Sequence, residues 1–109
     1  MRSVKNKQVA LTSIWAIPYR GVAMLTRKLA QQVGKAGVRV NAIAPSTVVN
    51  DKIRKFMPDD QQRSLAASYA VPRLGEPADI AAAALFLSSD ASSWTTGIVL
   101  DVAGGKVML

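Results

Sequence analysis

The run Gly37-Val-Arg-Val-Asn-Ala-Ile-Ala-Pro45 constrains this chain more than any other stretch. Val38, Val40, Ala42 and Ala44 recur at period two with Ile43 on the opposite side, the pattern of a strand buried on both faces. The residues before it read as a helix, and the glycines at 34 and 37 supply the backbone freedom that stops a helix and starts a strand. Pro45 closes the strand, because proline has no N–H to give to a ladder. Helix, glycine turn, apolar strand and proline together make one unit of a parallel α/β sheet.

The spacing predicts that the preceding helix begins near Pro18, a residue tolerated in a first turn. Val22, Leu25, Leu29 and Val33, supported by Met24, Thr26 and Ala30, form its apolar stripe, and Arg27, Lys28, Gln31 and Gln32 take the other side. Pro58-Asp59-Asp60 reads as a helix start with carboxylates at the positive dipole end, which explains the acid pair better than a cation site does. A further helix is expected from about Ala78 to Leu87, with Pro77 at its first position and Asp79 complementing the dipole. Ile80-Ala-Ala-Ala-Ala-Leu-Phe-Leu87 is apolar nearly all round, the pattern of a deeply covered helix. A polar turn, Ser88 to Ser93, leads through Gly97 to a second strand, Ile98 to Val102, expected to lie parallel to the first. Residues 1–13 have little periodicity, and Val9-Ala-Leu11 is too short to assign.

Composition removes whole classes of chemistry. The 109 residues contain no cysteine and no histidine, so disulfides and thiolate metal sites are excluded and the commonest general base is missing. No apolar run approaches the ~20 residues of a membrane span, and no signal-peptide pattern opens the chain, so a cytoplasmic, metal-free protein is expected. The net charge of +7 is lopsided: residues 1–50 hold eight basic residues and no acid, against six basic and seven acidic residues in the remainder. The basic groups are scattered over a tail, a helix face and a turn, without interleaved aromatics that could stack bases, so a nucleic-acid partner is not expected.

Leu25-Thr-Arg-Lys-Leu-Ala30 followed by Gly37 to Pro45, then Pro72-Arg-Leu-Gly-Glu-Pro77, Asp79-Ile-Ala81, Leu85 to Ser93 and Gly97…Val102-Ala-Gly-Gly105, closely resembles the second half of short-chain dehydrogenases/reductases, in particular the 3-oxoacyl-carrier-protein-reductase-like branch. The ordered motifs run from about residue 20 to residue 105. The resemblance implies one partial domain over residues 1–109, with a partial Rossmann-like parallel sheet of two to three strands and three to four helices. It also implies NAD(P)-dependent hydride transfer between a ketone and an alcohol as the ancestral activity.

The family's reaction uses a tyrosine four residues before a lysine, with a serine that orients the substrate oxygen. Counting back from Leu25-Thr26 at the family's spacing puts Trp15 at the tyrosine position and Tyr19 at the lysine position. An indole N–H cannot act as an acid near neutral pH, and a phenol supplies no positive charge. Taking Tyr19 as the acid instead puts Ala23 at the lysine position. Aromatic packing at a helix start is the preferred reading of both. Ser3-Val4 resembles the family's serine-valine pair, although a plain loop serine is the simpler reading of Ser3.

After Pro45 the family has a glycine, then a valine and a threonine that touch the nicotinamide end of the cofactor. Here Ser46 replaces the glycine, Val48 matches and Asn50 replaces the threonine. A weakened cofactor contact and a strand-to-loop turn without ligand both fit Pro45, Ser46, Val48 and Asn50. By the same resemblance residues 51–70 form the substrate lid, and Ala103 replaces an aspartate before the glycine pair.

A dinucleotide site needs a glycine-rich turn between a strand and a helix, where backbone N–H groups approach the pyrophosphate. Glycines at 21, 34, 37, 75, 97, 104 and 105 never make that spacing. Expected, therefore, is a truncated oxidoreductase scaffold that does not bind NAD(P) or turn over alone. The strand at 38–44 is expected to lack neighbours, leaving a marginal fold or one that associates with itself or with a full-length relative.

Overall fold

The computed structural model describes residues 7–12 and 19–106, with side chains from Arg20 onward. Three parallel strands form one sheet in chain order. The first, β1 (Lys7–Thr12), runs beside β2 (Val38–Pro45) in a register from Lys7 opposite Val38 to Thr12 opposite Ile43. On its other edge β2 pairs with β3 (Val99–Val102), from Ala42 opposite Val99 to Pro45 opposite Val102. Four α-helices accompany them: α1 (Tyr19–Val33), α2 (Asp51–Phe56), α3 (Asp59–Ala67) and α4 (Pro77–Ser88). Among the described residues no helix is long and apolar enough to cross a membrane.

Two expectations about the sheet change. Val9-Ala-Leu11, unassignable by its own pattern, belongs to β1, because its strand state comes from backbone pairing with β2 rather than from periodicity. Consequently β2 is the central strand, with both edges paired. The outer edges of β1 and β3 are the sheet's free ones among the described residues.

Val40, Ala42, Ile43 and Ala44 are buried, as the alternating pattern requires of a two-faced strand. The same strand also buries Arg39 and Asn41, and the chain satisfies both with carbonyl acceptors. Arg39 donates from Nη2 to Leu87 O at 2.9 Å and Ser89 O at 3.2 Å, and from Nη1 to Thr95 O at 3.1 Å. Asn41 donates from Nδ2 to Thr95 O at 3.0 Å and accepts from Ile98 N–H at 3.2 Å. These bonds fasten the last turn of α4 and the loop before β3 to the central strand, and they offset the desolvation of the two polar groups.

On α1 the buried face is Val22, Thr26 and Ala30, spaced by one helical turn each, while Leu25 and Met24 are about half exposed at 49% and 52%. The apolar stripe is thus rotated from the expected one. The loop at Gly97 packs on this face, where a Cβ would meet Ala30 Cβ at 3.4 Å, an ordinary van der Waals contact. Thr26 remains satisfied in the core by donating to Val22 O at 2.7 Å.

The expected deep burial of α4 is also corrected. Only Leu87 is buried, with Ile80, Ala83 and Ala84 half-buried on the same stripe. Leu85 is 72% exposed and Phe86 44%. One sheet face covers one stripe of a helix, whatever the composition of the rest.

Candidate active-site pocket

Ligands of open parallel sheets bind beyond the carboxyl ends of the strands. At that edge β2 runs out at Pro45 into Ser46 and Thr47, and β3 runs out at Val102 into Ala103, Gly104 and Gly105. A cavity of about 600 Å³ lies between these two strand exits and the segment Tyr69–Gly75. Backbone bonds hold the third wall: Val71 N–H donates to Gly104 O at 2.9 Å, and Gly75 N–H donates to Thr47 O at 3.0 Å.

The glycine pair makes this closure possible. Gly105 has φ +87°, and a Cβ there would come 2.5 Å from Ala70 Cβ. Gly104, at φ +63°, packs against the Tyr69 side chain. Both the left-handed backbone and the tight approach demand glycine.

Tyr69 is the buried polar group of the pocket. Its hydroxyl shares a hydrogen bond with Ser46 Oγ at 2.9 Å, and Lys106 Nζ stands 5.5 Å from its ring centroid. Burial pushes the phenol up, but hydrogen bonds from the Ser46 and Thr47 side chains and the Thr47 backbone, with the charge of Lys106, outweigh it. The phenol is left below its usual value. Serine, tyrosine and lysine therefore meet in space from three distant parts of the chain.

At the rim, Arg73 donates to Asp79 through two bonds, Nη1 to Oδ2 at 2.8 Å and Nη2 to Oδ1 at 3.0 Å. Asp79 Oδ2 also accepts from Glu76 N–H at 2.7 Å at the start of α4. The Arg73 bonds, with that backbone donor, hold the Asp79 carboxyl at about 2.

The residues singled out from sequence separate into three groups. Ser3 and Trp15 lie outside the described residues, and Tyr19 opens α1 with its side chain outside them too. Ser46 lines the pocket. Pro45 ends β2, and Val48 forms a parallel bridge with Gly75. Asn50 Oδ1 accepts from Ile53 N–H at 2.8 Å and caps α2, so this helix start is closed by the chain itself. The turn from β2 to α2, Ser46 to Asn50, contains no glycine.

Sequence reasoning missed Thr47, Tyr69 and Lys106 as pocket residues and gave Asp79 only a capping role. No local pattern joins positions 46, 69 and 106. The one available signal is Gly104-Gly105, which marks a close backbone approach without saying to what.

The parallel sheet with its accompanying helices is Rossmann-like, and comparison with known proteins agrees. A family model described as "Enoyl-(Acyl carrier protein) reductase" matches residues 4–106, and the chain belongs to the short-chain dehydrogenase/reductase family. It is 36% identical to 7alpha-hydroxysteroid dehydrogenase of Escherichia coli (strain K12) over 105 residues, covering 96% of this chain and 41% of that protein. It is also 36% identical to a 3-oxoacyl-[acyl-carrier-protein] reductase of Vibrio harveyi over 95 residues, covering 87% of this chain and 38% of that one. A crystal structure of hydroxysteroid dehydrogenase from Escherichia coli superposes with a TM-score of 0.77 at 32% identity, over 94% of this chain and 47% of that chain. The 3-oxoacyl-[acyl-carrier protein] reductase from Brucella melitensis gives 0.75 at 33% identity, over 83% and 33%. The chain thus spans about two fifths of the length of the curated relatives it matches.

Proposed function

We propose that this chain carries the rear portion of an NAD(P)-dependent short-chain oxidoreductase scaffold and does not transfer hydride between ketone and alcohol by itself. The observation that carries this reading is the pair Trp15 and Tyr19 at the positions of the family's tyrosine and lysine. Neither can play the part of the residue it replaces: indole is no acid at neutral pH, and a neutral phenol does not lower a partner's pKa as an ammonium does. Ser46 in place of the family's glycine and Asn50 in place of its threonine support the same reading for the cofactor. Ser3, Pro45, Ser46, Val48 and Asn50 then stand as vestiges of a serine position and of the nicotinamide contacts. A cytoplasmic location accords with a chain free of cysteine. Titrating NADH and NADPH into the purified chain while following nicotinamide fluorescence tests it. Flat titrations are expected, and saturable binding in the micromolar range would overturn the reading.

A second reading is favoured by the outer surface. Leu85 and Phe86 on α4, Met24 and Leu25 on α1 and a fully exposed Trp94 leave apolar area in solvent, as an association module does. The partner is a second copy or a full-length relative. Light scattering tests this: a clean monomer at concentrations on the order of tens of micromolar would contradict it.

A further inference from the structure

We propose that the cavity at the carboxyl ends of β2 and β3 is a binding site for a small carboxylate with an apolar body, its anion held between Lys106 Nζ and the Ser46–Tyr69 hydroxyl pair. The inference rests on the pocket alone and goes beyond the oxidoreductase reading.

The volume of about 600 Å³ falls in the range of small-molecule sites. Val71, Val102 and Ala103 supply apolar lining, and the glycine pair leaves backbone without side chains in the way. Four charged side chains border the cavity: Arg73, Asp79, Asp101 and Lys106. Arg73 and Asp79 neutralise each other through their two-bond pair. Asp101 has a partner of its own. Lys106 rests over the Tyr69 ring at 5.5 Å, a weak contact that an anion can compete with.

Lys106 sets the sign of the ligand, and the hydroxyls add a donor beside it. Ser46 Oγ and Tyr69 Oη carry two protons and share one hydrogen bond, while Thr47 also bonds to the phenol. One proton of the pair is left to donate, beside an ammonium that has only donors. A carboxylate accepts from both with one oxygen to each, and the net charge of +7 favours its approach at long range. Protein cations would meet Lys106 itself.

Benzoate, with uncharged benzamide as its isostere, tests the proposal on the isotope-labelled full chain by following amide chemical shifts. Saturable benzoate shifts are expected at Thr47, Gly104 and Gly105, with benzamide weaker by about tenfold or more. Lys106→Met should abolish the preference for benzoate while leaving the amide spectrum folded, because Lys106 is exposed. Ser46→Ala should weaken benzoate by a smaller factor. Equal binding of the two probes, a preference that survives Lys106→Met, shifts located elsewhere, or no saturation by benzoate would each overturn it. Flat nicotinamide titrations leave it standing, so its failure and that of the oxidoreductase reading are separable.

Discussion

Arg39 Nη2 lies 2.9 Å from the carbonyl oxygen of Leu87, joining the start of β2 to the last turn of α4 across 48 positions of sequence. The guanidinium is buried and divides its donors among three backbone carbonyls. It thereby serves as an internal C-terminal cap, satisfying oxygens that a helix end leaves without intrahelical partners.

Replacing it should be costly. Arg39→Met removes every one of these donors and leaves carbonyls in a covered place, so denaturant unfolding should show a loss of about 2–4 kcal/mol. Lys35→Met, on an exposed position of the preceding turn, should change stability by less than about 0.5 kcal/mol. Equal effects of the two substitutions would contradict the capping role.

The glycine pair provides a steric comparison. Gly105→Ala meets both a left-handed φ and a Cβ contact of 2.5 Å with Ala70, and should destabilise by about 1–3 kcal/mol. A Cβ on Gly34 meets nothing within 4 Å and its φ is not positive, so Gly34→Ala should be neutral or stabilise by up to about 1 kcal/mol. Thermal melts of the two variants decide it.

The acid limb of stability should carry the mark of Asp79. Its folded-state carboxyl lies at about 2 against an ordinary 3.8, so its contribution is fully present above about 4 and lost as pH falls through about 2. Arg73→Met removes the main cause and should return the carboxyl toward its ordinary value, flattening that part of the profile. Thermal midpoints of wild type and variant measured down the acid range would show it. Parallel curves would remove Asp79 from the account.

Tyr69 should be visible in alkaline titration. The chain has two tyrosines, and the phenol of Tyr69 lies below its ordinary value. An ultraviolet titration should show an early component that Tyr69→Phe abolishes and Ser46→Ala moves upward. The same Tyr69→Phe change should lower stability by about 1 kcal/mol through the lost bond to Ser46.

Much of the fold was legible because it rests on local signals. The strand ending at Pro45, the helix ending at Val33, the proline-led helix at 77 and the parallel partner at 99–102 all carry periodicity or caps in their own residues. β1 carries none and exists through β2. The short α2 lies inside the expected lid region, its start marked only by Asn50 as N-cap, a residue that fits a weakened cofactor contact and a ligand-free turn alike. The turned stripe of α1, with Val22, Thr26 and Ala30 inside, depends on what packs against the helix, which no helical wheel contains. The pocket was the least legible part, since Ser46, Tyr69 and Lys106 are brought together by the closure of Gly104 and Gly105 on the segment from Tyr69 to Val71. Hydroxyl and ammonium groups so far apart in sequence leave no pattern until the chain closes on itself.

The central proposal is that Trp15 and Tyr19, at the positions of the family's tyrosine and lysine, do not supply its proton transfer. Steady-state consumption of NADH and NADPH by the isolated chain, offered a panel of ketones, tests it most directly. The account expects no substrate-dependent oxidation above the rate without protein. Turnover that scales with chain concentration and disappears in Tyr19→Phe or Trp15→Phe would contradict it.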